Sequence, residues 1–185
     1  MKKNFPAIIS ILLAATALYI SIDSRKSDKK EEILPQTLYE FTGRSEIRWV
    51  SFENMTGAKG EGGKENFGAK GHACDAVKVG ESKTILDLDG SGIINRIWMT
   101  IGNRTLEMLR GLVINIYWDH EEKPAVSAPF GDFFGVGHGK TAVYENALFA
   151  NPQGKSFNSF IPMPFKTHAM IELVNESEIE QSLIF

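Results

Sequence analysis

The chain has 185 residues, 43% of them hydrophobic and 23% charged, the proportions of an ordinary globular protein with one moderate domain and an appendage. Its formal net charge is −3 and its lysines and arginines are spread along the chain, which excludes the concentrated basic surface of a nucleic-acid binder. A single cysteine, Cys74, excludes an intrachain disulfide, so stability must come from buried apolar surface.

Lys2 and Lys3 precede "FPAIISILLAATALYISI", an uncharged stretch ending at Ile22. A positive start, an apolar middle and the small residues Ala15-Thr16-Ala17 form a secretory signal with an A-x-A-like cleavage site. If uncleaved, residues 1–22 are long enough to be a membrane anchor. Either reading puts the body outside the cytoplasm, periplasmic or secreted, and limits membrane contact to this segment. No cysteine follows it to carry a lipid. Residues 23–33 hold the charge run "SRKSDKKEE" and read as a solvated linker. The folded domain is expected over 34–185.

Within that domain, "EIRWVSF" alternates apolar and polar residues at period two and predicts a strand. The glycine-rich stretch "MTGAKGEGGKENFGAKGHACD" follows, from Met55 to Asp75, and can fill no core. It is either a disordered connection or a loop shaped around something. "TILDLDG", "IINRIWMTI" and "LRGLVINIYW" are the strongest predicted strands, being β-branched and aromatic. At most one helical turn is expected near Leu106–Leu109. "KPAVSAPFGDFFG" carries prolines that confine it to an edge or a strand end. "TAVYENALFA", "SFNSFIPMPF", "HAMIELVNE" and "QSLIF" complete the set. Many short strands with Gly and Pro turns imply an all-β, antiparallel sandwich of jelly-roll type. The chain stops at Phe185 inside an apolar run, which reads as the opening of a strand in a larger protein.

Several motifs fail on spacing. Ala58 stands where a P-loop needs glycine, and Glu65 breaks both the P-loop and the dinucleotide fingerprint. "DLDGSG" begins like a calcium loop, but Trp98 occupies the position of the bidentate glutamate, so a strand-joining turn is expected. His72, His120, His138 and His168 form no H-x-H or H-x-x-x-H pair, so no metal site and no cofactor are expected. No G-x-S-x-G turn is present, and Cys74 reads as a small packed residue. In "WDHEEKP", two carboxylates two residues apart on a strand would be separated by roughly 6.6 Å, the range of an inverting glycosidase. Acidic residues before Lys-Pro equally make an exposed hairpin turn, the preferred reading.

"FGDFFGVGHG" sets Asp132 beside Phe133 and Phe134. A carboxylate next to aromatic faces suits a sugar, whose hydroxyls need acceptors and whose C–H face packs on rings. The alternative is an aspartate that satisfies loop amides while the phenylalanines enter the core. Arg96 and Trp98 share one face of their predicted strand and are placed at the same mouth.

From about Ile47 to Phe185 the chain resembles the N-terminal half of glycoside hydrolase family 172, formerly domain of unknown function 2961. The stretches that carry the likeness are "GSGIINRIWMT", "LRGLVINIYWDHEEKPAVSAPFGDFFG" and "NPQGKSFNSFIPMPFKTHAMIELVNESE", with Thr56-Gly57 and Gly62-Gly63. The resemblance implies two jelly rolls per chain, homo-oligomers with sites near subunit contacts, and activity on fructofuranosyl or arabinofuranosyl linkages. It also implies a retaining displacement by two glutamates of the second half, so no catalytic residue is carried over and this portion alone is expected to be inactive. The glycine-rich loop would border the sugar site, with Asn54 and Lys59 as donors. The competing reading is a non-catalytic carbohydrate-binding or assembly module.

Overall fold

Alternating apolar residues set the strands, and glycine, proline and asparagine end them. In a computed structural model that describes residues 45–185, the chain forms β1 (Asp75–Val77), β2 (Ser82–Asp89), β3 (Gly92–Ile94), β4 (Ile97–Met99), β5 (Leu112–Trp118), β6 (Val126–Pro129), β7 (Phe149–Ala150), β8 (Phe157–Ser159), β9 (Met163–Phe165), β10 (His168–Asn175) and β11 (Gln181–Ile184). Among the described residues four short helical pieces join them: α1 (Glu65–Gly68), α2 (Leu106–Gly111), α3 (Phe130–Phe133) and a 3-10 turn at Pro152–Gly154. The export segment and the charged linker lie outside the described residues. Residues Ile47–Phe185 form one unit.

The fold is all-β, built of open antiparallel sheets. Four strands pair in the order β2-β10-β5-β6, three in the order β4-β8-β7, and β1-β11 and β3-β9 make two-stranded pieces. Inward residues alternate strictly along β10, where Ala169, Ile171, Leu173 and Asn175 are buried. Ile114 and Ile116 of β5 meet them from the neighbouring strand. Ile97 and Met99 of β4 and Phe157 of β8 join the same core, so the two larger sheets share one apolar interior. β6 is an edge strand, as its prolines require.

Where the expected strands shorten, a polar side chain offers the backbone another partner. Thr105 Oγ1 accepts from Met108 N at 3.4 Å, capping α2, so residues 106–111 are helical and β5 begins only at Leu112. Gly111 is needed at this junction, because a Cβ there would lie 2.6 Å from that of Ser177. Asn146 Oδ1 accepts from the amides of Leu148 and Phe149, both at 2.9 Å, and this turn reduces "TAVYENALFA" to β7 and one bridge. "EIRWVSF" forms no strand: Ile47 and Trp49 are exposed, and pairing is limited to a Ser51–Asn54 bridge. Alternation alone does not make a strand without a neighbour to bury its apolar face.

Candidate functional site

The outer face of β4 carries the first group. Ile97 and Met99 point into the core, so Arg96 and Trp98 point out, and Trp98 is 40% exposed. Each is held by a neighbour. Trp98 Nε1 donates to Ser156 Oγ at 2.7 Å, and Arg96 Nη2 donates to Asn158 Oδ1 at 2.8 Å. Asn158 stands directly opposite Trp98 in the sheet and is 97% removed from solvent, its exposure being 3%. Its Nδ2 donates to the carbonyls of Ala150 and Ser156 at 3.3 and 3.1 Å, so the amide that aligns Arg96 is itself anchored to the backbone. The Arg96 guanidinium lies 5.5 Å from the centre of the exposed Phe160 ring. An indole and a guanidinium, fixed side by side on a strand, make a rigid aromatic and hydrogen-bonding surface.

Asp132 and Phe133 sit in α3. Phe130 and Phe134 are fully buried and pack on Phe157, with ring centres 4.9 and 5.8 Å away, while Phe133 is half-buried against Phe134. The phenylalanines therefore enter the core. Asp132 Oδ2 pairs with Arg110 Nη1, tying α3 to α2, and its Oδ1 is buried without a hydrogen-bond partner. Phe157 and Asn158 are consecutive residues of a strand, so α3 and Arg96 approach β8 from opposite faces. A shallow pocket beside α3 is lined by Gly135, Val136, Gly137, His138, Lys140, Ala142 and Tyr144.

Asn54 shapes the start of the glycine-rich loop. Its Nδ2 donates to Ala58 O at 3.0 Å and its Oδ1 accepts from Ala58 N at 3.2 Å and Thr56 Oγ1 at 3.3 Å. Gly57 lies inside this turn at φ 61°, where a Cβ would come within 3.0 Å of that of Arg48. Only glycine fits there. Lys59 leaves the turn exposed. No hydrogen bond, ion pair or ring contact among the described residues links this loop, the Arg96–Trp98 face and the Asp132 turn to one another.

The carboxylates of "WDHEEKP" have a structural use. Asp119 and His120 both take left-handed backbone, φ 55° and 64°, in a tight hairpin turn. Asp119 Oδ1 accepts from the amides of Lys166 and Thr167, each at 2.8 Å, and from Thr167 Oγ1 at 3.2 Å. Those backbone amides hold its pKa below the ordinary aspartate value. Asp75 is likewise lowered, first by Lys83 Nζ at 2.6 Å and then by the Ala76 amide. Burial pushes Glu172 upward, but hydrogen bonds from Ser82 Oγ, Tyr117 Oη and Asn115 Nδ2 outweigh it and keep its pKa low.

Asp119 has a second consequence. By fastening the β5–β6 turn to the segment before β10, it sets His120 over His168, with ring centres 4.2 Å apart and planes 14° from parallel. The end of β2 brings Asp89 to His120, 3.6 Å between Oδ1 and Nε2, and Asp87 to His168, 2.8 Å between Oδ1 and Nε2. Among the described residues, this is a histidine-carboxylate cluster that spacing along the chain does not reveal; only strand pairing gives it, through the register of Asp89 opposite His168.

A family model described as GH172 domain-like matches residues 71–184, more than half of the chain. No curated protein matches it.

Proposed function

The chain belongs to the GH172 domain-like family, which is related to glycoside hydrolases, and we propose that it is the sugar-binding N-terminal portion of an exported protein acting on furanosides. Fructofuranosyl or arabinofuranosyl groups dock on the Arg96–Trp98 face, and the reactive carboxyls come from elsewhere in the assembly. The carrying observation is Trp98: an indole 40% exposed on a strand, its N–H fixed by Ser156, beside an arginine fixed by a buried asparagine. Furanose rings have apolar C–H faces that stack on such an indole and hydroxyls that accept from a guanidinium. In this reading Asn54 shapes the loop that presents Lys59, and Phe133 supports the turn that carries Asp132. The sheets belong to a jelly roll, and the complete protein is a homo-oligomer.

Three carboxylates are unsuited to the role of a glycosidase's acid. A retaining glycosidase needs one carboxyl kept protonated near neutral pH as its acid. Asp75, Asp119 and Glu172 are shifted the other way, toward the ionised form, by the lysine or hydrogen-bond donors around them.

Aryl furanosides and short furanose oligosaccharides test the proposal, with the full chain in both turnover and equilibrium-binding measurements. Expected are no turnover, measurable binding, and roughly tenfold weaker binding for Trp98→Ala, in line with the loss of one stacked ring and its area. Turnover by this chain would contradict the division of labour. Equal binding by Trp98→Ala and the parent would remove the β4 face from the site.

A further inference from the structure

The Asp89, His120 and His168 cluster is outside the proposed sugar face, and its chemistry differs. Each residue offers one ligand atom, and those atoms lie within 4.8 Å of one another. We infer that these three side chains form a binding site for a divalent transition metal of the zinc class, oriented by Asp87 and Asp119.

Two imidazoles and a carboxylate are the donor set that borderline cations such as Zn²⁺ prefer, whereas Ca²⁺ and Mg²⁺ favour oxygen donors throughout. Zinc holds nitrogen and oxygen at about 2.0–2.2 Å, so the ligand atoms must close by a fraction of their present spread. The two that must move are the exposed members: the Asp89 and His120 side chains are 85% and 62% exposed. His168, only 12% exposed, is the fixed member. Its Nε2 is held by the Asp87 carboxylate, the arrangement by which an outer carboxylate orients a metal-binding imidazole.

His168 also has a ring nitrogen to offer. His168 Nδ1 is buried and has no hydrogen-bond partner. A carboxylate can only accept, so Nε2–H donates to Asp87, and in the neutral tautomer that this bond selects the lone pair lies on Nδ1. A ring nitrogen without a protein partner is one that a cation can satisfy. Asp119 is a positioning residue here: its four bonds to residues 166–168 keep the turn that carries His120 beside His168.

A metal at this point would clamp three segments distant in sequence: the end of β2, the β5–β6 turn and the start of β10. Binding to the folded chain alone raises its stability in step with metal concentration.

Equilibrium dialysis of the full chain against Zn²⁺, with excess Ca²⁺ and Mg²⁺ present, tests the inference. The parent is expected to retain zinc and to melt at higher temperature as zinc rises. His120→Ala and Asp89→Asn alter exposed side chains, so both should fold, and each is expected to bind zinc at least about tenfold more weakly. Asp119→Ala should weaken it also, while His138→Ala should not. Cobalt gives a second readout: visible absorption bands in the parent, lost in His120→Ala. Zinc affinity unchanged by His120→Ala and Asp89→Asn, zinc lost instead in His138→Ala, or displacement by Ca²⁺ would each overturn the inference.

Discussion

On the outer face of β4, Arg96 and Trp98 are two residues apart, and the amide and hydroxyl that hold them, from Asn158 and Ser156, come from one neighbouring strand. At the start of β10, His168 meets His120 from the β5–β6 turn and Asp87 and Asp89 from the end of β2. In the first region each side chain is held by a neighbour: the Trp98 indole by Ser156, and Arg96 by Asn158, which uses both ends of its amide. The second keeps a buried nitrogen unsatisfied and two largely exposed side chains, Asp89 and His120. A surface that reads sugars gains from side chains oriented beforehand, whereas a cation site gains from ligand atoms left open.

Three substitutions would break or sharpen this contrast. The largest effect is expected for Phe134→Ala, which empties a fully buried ring position beneath Phe157 and β8. It should cost about 3–5 kcal/mol by denaturant titration, since the cavity adds to the lost transfer energy. Asn158→Ala comes next. It frees Arg96 and leaves the Ala150 and Ser156 carbonyls short of a donor, for about 1–3 kcal/mol, and it should weaken furanoside binding while leaving zinc binding alone. If it weakened zinc binding equally, the two regions would not be independent.

The smallest effect concerns pH. Glu172 has a folded pKa below its unfolded value, so its contribution is present above the ordinary glutamate pKa of about 4.3 and fades as pH falls through the folded value. The parent should therefore lose stability on acidification below about pH 5. Glu172→Gln should flatten that limb without changing stability's trend above neutrality. An identical acid limb in both proteins would mean that the hydrogen bonds from Ser82 and Tyr117 do not favour the ionised form.

The contrast also explains what the sequence made legible. Period-two alternation puts Arg96 and Trp98 on one face, and the structure keeps them there because Ile97 and Met99 are both buried. The edge position of β6 follows from its prolines, and β2 and β10 match their apolar patterns. The helical turn expected near Leu106–Leu109 is present as α2, and it runs on to Gly111 from its cap at Thr105. Asp132 carried two readings, and its phenylalanine neighbours took the interior one while its carboxylate took Arg110. The histidine cluster was illegible because no local spacing joins His120 to His168; the register of β10 against β2 and the clamp by Asp119 do so.

The most direct measurement follows the Trp98 indole N–H by NMR as a furanose oligosaccharide is titrated into the full chain. The account predicts a saturable shift of that resonance, with Arg96 side-chain signals moving in parallel and no response in Asn158→Ala at the same concentrations. Saturable binding that leaves the Trp98 and Arg96 signals unmoved would contradict it.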